Sequence, residues 1–291
     1  MYYTSMHNSC QVLLGTLNNS MRILITGCNG FIAKNMIEWM SQEYFWEIEQ
    51  WSWDPYNYPD IKRYNWVIHL GAITDTSDSD VDTIIHQNLE FSQWLFNECN
   101  KHKVNLQYAS SWEVYGRNNN YNEYAPCHPE SPYAWSKYLF DRWVFQQPHH
   151  ISVHGFRYFN VYGKYMYTKG SRTDIMYKWR EQAKHEGKIT ICKNAEFIKR
   201  DWVWVGDICK LHIDFIKSVH GSGIWNVGTG LSHSYLDVAE EIALQEDVPI
   251  EFTDEILSEQ YTAKADLKLL KSTIGKRKWL NVYEWIDRRL G

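Results

Sequence analysis

Residues 21–43, "MRILITGCNGFIAKNMIEWMSQE", decide the fold. "MRILITG" (21–27) is a short apolar run with β-branched residues, stopped by glycine, which is the pattern of a buried strand. "FIAKNMIEWMSQE" (31–43) then places Ile32, Met36, Ile37 and Met40 at helical spacing. Between strand and helix lies Gly27-x-x-Gly30-x-x-Ala33. Gly27 allows a tight turn, Gly30 lets backbone approach a pyrophosphate, and Ala33 is small enough for helix and strand to pack. Phosphates would then rest on the helix N-terminus, with Gly27, Gly30, Phe31 and Ile32 in a dinucleotide site.

The same alternation continues outward. "FWEIEQWSW" (45–53) reads as a second strand, and a turn region rich in Pro, Asp and Tyr follows. "NWVIHLGA" (65–72) is a third strand ending in Gly, "VDTIIHQNLEFSQWLFNECNKH" (81–102) a long helix, and "VNLQYASS" (104–111) a strand. "SPYAWSKYLFDRWVFQQ" (131–147) is a helix with Pro in its first turn, and "HISVHGFRYFNVYG" (150–163) one more strand and a turn. Strands alternating with helices make an α/β fold with a doubly wound parallel (Rossmann) sheet. Beyond about residue 165 the pattern is less regular, with a helix near 173–186, short strands near 189–198 and 223–227, and a helix near 234–246. The expected organisation is a loose tail over 1–20, a dinucleotide-binding domain over 21–165 with 197–222 returning to it, and a smaller α/β substrate lobe from 166–196 and 223–291. Met21, where the first strand-like run begins, reads as an alternative start.

The chain has 291 residues, enough for a large core. A net charge of −5 with dispersed signs points away from nucleic acid and anionic membranes as partners. No apolar run has the length of a membrane span, and six cysteines without C-x-x-C or ligand spacing suggest reduced thiols in a cytoplasm, with no metal site.

An acidic residue is expected at the end of the second strand to hold the adenosine ribose. Asp54 is the first choice and Glu49 the alternative. No Arg stands beside either, so NAD and NADP both stay open. Asp60 in "YPDI" either caps the adenine amino group or is a plain turn aspartate. Leu70, Gly71 and Ala72 after the third strand complete the cofactor set, Asn88 in the long helix either faces the nicotinamide side or is a helix-surface amide, and His69 reads as a packing residue.

Three Tyr-x-x-x-Lys pairs occur, at 58–62, 133–137 and 165–169, so spacing alone selects none. Position does. Ser110 and Ser111 end a strand at the carboxyl edge of the sheet, and Tyr133 and Lys137 share a face in the first turns of the next helix. A neighbouring ammonium and a cationic nicotinamide would favour the phenolate, and a serine hydroxyl can orient a sugar alcohol.

The segments "ITGCNGFIA", "YASSWEVYG", "SPYAWSKYLFD", "GFRYFNVYGK", "TKGS", "FIKRDWVWVGDI", "SGIWNVGTG" and "YTAKADLKLL" together resemble the extended short-chain dehydrogenases/reductases that act on nucleotide sugars, most closely the branch of 6-epimerases of ADP-glycero-manno-heptose. The resemblance runs from Met21 almost to the end of the chain. It implies a tightly held NADP or NAD, NADP being slightly favoured, a nucleotide-sugar substrate and a homo-oligomer. Hydride would leave a sugar carbon and return to its other face with two acid/base residues, Tyr133 and Lys169. Ser111 would orient the reacting oxygen, and Lys137 would tune Tyr133 and hold the nicotinamide ribose. Asn160, Ser171 and Lys178 would meet substrate, Arg200 would grip its diphosphate unless it pairs with Asp201, and Tyr261 would cover the nucleotide end.

Some features depart from the pattern. Ala33 replaces a third glycine, the second-strand region is short, and "ICKNA" (191–195) differs from the substrate loop. Rival readings are a nucleotide-sugar 4-epimerase, 4,6-dehydratase or 4-ketoreductase, and a cofactor-binding sensor or scaffold. A dehydratase would show an Asp-Glu pair after the strand-end hydroxyl, where this chain has Trp112 and Glu113.

Overall fold

A computed structural model describes residues 20–43, 45–74, 80–118, 120–167, 173–218, 221–257 and 262–287. In chain order, β1 (Arg22–Thr26) leads into α1 (Phe31–Glu43), β2 (Glu47–Trp51) and β3 (Trp66–His69). The long helix then runs as α2 (Val81–Ile84), a π-helical stretch over Ile85–Glu90, and α3 (Phe91–His102). β4 (Asn105–Ser111), α4 (Pro132–Val144), β5 (Val153–Tyr158) and β6 (Asn160–Tyr162) follow. Next come α5 (Ile175–Glu186), β7 (Ile189–Cys192), β8 (Lys199–Arg200), β9 (Trp202–Trp204) and α6 (Val205–Lys217). The last elements are β10 (Gly223–Val227), β11 (His233–Ser234), α7 (Tyr235–Glu246), β12 (Ile250–Thr253), α8 (Lys268–Ile274) and α9 (Val282–Asp287).

The central sheet is six-stranded and parallel in the order β10-β5-β4-β3-β1-β2. Its two faces can be read from β1. Ile23 and Ile25 point into the core built with Met36 and Met40 of α1 and Cys209 and Ile213 of α6, while Leu24 points into the one with Leu95 of α3 and Phe140 of α4. Period-two alternation therefore places helices on both faces, and burying both faces requires near-continuous apolar strands. Between β2 and β3 the crossover has only a short 3₁₀ turn at Ile61–Arg63 in place of a helix, as the short segment there foretells.

One feature differs from the sequence reading. Gly223–Val227, assigned there to the smaller lobe, pairs with β5 and closes the main sheet. Five residues carry too little periodicity to say which sheet they join. The smaller lobe holds the parallel pair β7 and β12 with α5, α7 and α9. Trp179, Ile242 and Trp285 of this lobe lie in the same apolar cluster as Ile23 and Ile25, so lobe and sheet share one core.

Candidate active site

The phosphate loop forms because Gly27 sits at φ +71° and passes against a second glycine at the end of β3. A Cβ on Gly27 would stand 2.4 Å from the Gly71 Cα, and one on Gly30 would stand 3.1 Å from the Gly27 carbonyl oxygen. No side chain fits where these backbones meet. Gly30 N–H donates to Gly27 O at 2.8 Å, and α1 begins at the next residue, so the first N–H groups of Phe31 and Ile32 lie at a 13-residue helix N-terminus.

Beside the loop lies a cavity of about 210 Å³, lined by Gly27, Gly30, Leu70, Gly71 and Ala72 together with Asn29, Trp51, Ser52, Trp53, His69, Gln87 and Phe91. A glycine cradle at a helix N-terminus, opening on a cavity with aromatic walls, fits the pyrophosphate and adenosine of a dinucleotide.

The expected ribose carboxylate is elsewhere. Asp54 lies beyond the cavity wall, where its Oδ1 accepts from Tyr56 N–H at 3.0 Å. Glu49 takes Arg63 at 3.0 Å and the Tyr64 hydroxyl at 2.6 Å. Asp60 is exposed and paired with Lys62 at 3.3 Å. The end of β2 instead presents Trp51-Ser52-Trp53, with Asn29 Nδ2 donating to Ser52 Oγ at 3.1 Å. The clipped crossover begins right after Trp53, and Asp54 does not line the cavity. The aromatic pair in "WSW" is the signal that points to this wall.

Asn88 also has a different task from the one expected. It is buried, accepts from Ile73 N–H at 2.8 Å, and donates to Ile73 O at 2.9 Å and to Ser136 Oγ at 3.1 Å. Its amide therefore ties the loop after β3 to α4. The π-helical turn that carries it is the kind of local irregularity found at functional sites. His69 is equally engaged. Ser92 donates to Asn88 O, so its Oγ accepts from His69 Nε2, which leaves Nδ1 to accept from Thr26 Oγ1 at 2.6 Å. Burial, helped by the charge of Lys137, pushes this imidazole down to about 3.

Tyr133 is set in the first turn of α4 by Ser131, whose hydroxyl accepts from Ala134 N–H at 3.1 Å, and by Pro132. The Ser111 hydroxyl acts on the Tyr133 phenol in the direction that favours the phenolate, and the Lys137 ammonium stands 5.9 Å from the Tyr133 ring centre. All three side chains are buried. Ser111 is itself held, since its Oγ accepts from Glu113 N–H at 3.2 Å as the cap of a 3₁₀ turn. Burial pushes Lys137 down to about 8, with Asp141 acting in the opposite direction. For the phenol, burial dominates and the Glu113 carboxylate adds to it, so Tyr133 titrates well above the ordinary tyrosine range, with Ser111 acting in the opposite direction.

On the substrate side, the Arg200 guanidinium lies between two rings, 5.6 Å from Trp112 and 5.5 Å from Tyr235. Trp112 directly follows Ser111, so Arg200 reaches the turn that carries the serine. Neighbouring Asp201 gives its carboxylate to Thr229 N–H and Oγ1, Gly230 N–H and Ala265 N–H. Asn160 starts β6 beside Trp202, and its Oδ1 is buried with no hydrogen-bond partner among the described residues, an acceptor open to a ligand donor. Lys178 is corrected: it is exposed on α5 next to Glu181 and Gln182 and does not join the Tyr133 group. Helical phase decides this, since neighbouring Trp179 and Arg180 take the buried face. Lys169, Ser171 and Tyr261 lie outside the described residues.

Comparisons with known proteins agree with this geometry. Residues 23–228 match the model of the NAD dependent epimerase/dehydratase family. An ADP-L-glycero-D-manno-heptose-6-epimerase of Brachyspira hyodysenteriae is 32% identical over 232 residues, covering 74% of this chain and 71% of that protein. One of the same name from Fusobacterium nucleatum is 32% identical over 187 residues, covering 60% of this chain and 56% of that protein. The solved Helicobacter pylori ADP-L-glycero-D-manno-heptose-6-epimerase superposes with a TM-score of 0.82 at 20% identity, over 92% of this chain and 94% of that one.

Proposed function

The chain belongs to the NAD dependent epimerase/dehydratase family, and from that premise we propose that it is a nucleotide-sugar epimerase acting on ADP-glycero-manno-heptose at C6. The observation that carries the reading is Tyr133 and Lys137 buried together on one face of α4, 5.9 Å from ring centre to ammonium, with buried Ser111 at the end of β4 acting on the phenol. The curated relatives named as 6-epimerases support the choice of substrate.

When bound, the nicotinamide supplies the hydride acceptor and returns the hydride. The protein supplies the proton chemistry and the geometry. Ser111 holds the reacting sugar hydroxyl against Tyr133, whose phenolate oxygen takes the proton. Lys137 supplies the positive charge that offsets burial once a cationic ring adds to it. Inverting a centre needs a proton donor on the opposite face, and Lys169 is that second group in this reading. Arg200 and the open acceptor of Asn160 hold the nucleotide-sugar, with Ser171 and Tyr261 closing over it.

The cofactor is NADP in this reading, with NAD tolerated. No carboxylate lines the cavity among the described residues, and the neutral Asn29–Ser52 pair stands where one would repel a 2′-phosphate. Placing a carboxylate there by Ser52→Asp should weaken NADP relative to NAD by about tenfold or more, read as quenching of tryptophan fluorescence on titration. Homo-oligomeric assembly in the cytoplasm belongs to the same reading and is tested by light scattering and fractionation.

The deciding experiment identifies the nicotinamide that co-purifies and offers ADP-heptose beside a panel of other nucleotide sugars. Product inverted at C6 is the expected outcome. Inversion at C4 of another sugar would select the 4-epimerase, and an unsaturated or deoxy product the dehydratase. Lys169→Met should lower turnover by orders of magnitude, and full activity in that variant would overturn the two-base assignment.

A further inference from the structure

Tyr133, Lys137 and Asp141 are spaced four apart on one face of α4, and Asp141 is the most enclosed of the three. Its side chain is fully buried and faces three donors from two strands. Tyr108 Oη donates to Oδ1 at 2.9 Å, while Ser110 Oγ at 3.0 Å and Arg157 Nε at 2.9 Å both donate to Oδ2. Ser110 and Arg157 are register partners of β4 and β5, so one carboxylate joins α4 to the ends of both strands next to Ser111. Arg157 is 4% exposed and lies 4.8 Å over the Tyr115 ring, which completes a closed ion pair.

A buried ion pair of this kind is weak evidence for stability, because apolar residues of similar volume often do as well or better. Its place one helical turn beyond Lys137 suggests another use. We propose that Asp141 is a positioning residue of the active site: its clamped carboxylate keeps the Lys137 ammonium charged and holds the Ser110–Ser111 strand end in register with Tyr133. The inference rests on the catalytic reading of Tyr133, Ser111 and Lys137.

The other groups facing Lys137 do not supply this charge. His69 of β3 is held neutral by burial, and Tyr133 of the same helix is a protonated phenol. Tyr158 of β5, which faces Tyr133, is likewise buried and protonated, and Glu113 acts on the phenol. Asp141 opposes the desolvation that pulls the ammonium down.

The test reads Lys137 directly. Carbon-13 NMR of lysine-labelled protein follows the Lys137 side chain, assigned by its loss in Lys137→Met. The parent resonance should titrate near 8, and Asp141→Asn should lower the midpoint by about one pH unit, with Asp141→Glu restoring most of it. The alkaline limb of kcat should move down in parallel, since the ammonium is lost at lower pH. If Asp141→Asn does not fold, Asp141→Asn combined with Arg157→Gln removes both charges and leaves neutral hydrogen-bonding partners, and it should show a smaller downward shift because the lost guanidinium acts in the opposite direction. An unchanged midpoint overturns the inference, whatever the parent's activity. A lowered midpoint in a protein with no turnover on any nucleotide sugar supports the inference and sinks the catalytic reading instead.

Discussion

Tyr58 with Lys62 and Tyr133 with Lys137 have the same spacing in the sequence, and the structure treats them in opposite ways. Tyr58 packs at 4.5 Å from Trp94 and 5.2 Å from Phe91, in the aromatic wall behind the cofactor cavity, while Lys62 is exposed and pairs with Asp60. Between them the backbone leaves one irregular segment and enters a three-residue 3₁₀ turn, so no shared helical face exists. Tyr133 and Lys137 lie on consecutive turns of a capped 13-residue helix and are both buried. A hydroxyl and a charge act on each other most strongly when solvent is excluded from both. Of these two pairs, the fold encloses one.

The comparison can be broken or sharpened by substitution. Tyr133→Phe should lower epimerisation by about a thousandfold or more, since it removes the proton acceptor, while the thermal midpoint stays near the parent's. Product formation under saturating substrate checks the first point and calorimetry the second. Gly27→Ala should abolish cofactor binding, because its Cβ would sit 2.4 Å from backbone at a positive φ, and equilibrium dialysis against the dinucleotide reads this directly.

Lys137→Met should cut turnover and yet stabilise the fold. The folded pKa, about 8, lies below the ordinary lysine value of 10.5, so between those values the unfolded chain binds more protons and stability rises with pH. At pH 7 the buried ammonium therefore costs stability, on the order of a few kcal/mol. Urea melts of parent and variant at pH 7 and 10 should converge as pH rises, and a destabilised variant at pH 7 would contradict the sign.

Glu113→Gln removes a charge that raises the Tyr133 phenol. The phenolate then forms at lower pH, and the acid limb of kcat should shift down by less than about one unit. Smallest of all, Lys62→Ala and Tyr58→Phe should leave turnover within about twofold, as expected for surface changes and conservative ring substitutions. A large loss of turnover in Lys62→Ala would erase the contrast between the two pairs.

Much of this was already legible in the chain. Strand and helix periodicity located the five strands that begin the main sheet, α1, the long helix and α4, because burial of one face imposes a local repeat that a single segment displays. Strand, Gly27-x-x-Gly30 and helix in that order pointed to the loop, and Ser111 before Tyr133 and Lys137 pointed to the pair on which the proposed function rests. What the tertiary structure alone decided was which groups meet and which lose water. It brought Gly71 against Gly27, left Asp54 outside the cavity, turned Asn88 into a clamp, and set Arg200 between Trp112 and Tyr235. It also enclosed Lys137 and Asp141 together. Spacing along a chain is a one-dimensional property, whereas apposition and desolvation depend on residues far apart in sequence, and those two set the charge states on which the chemistry depends.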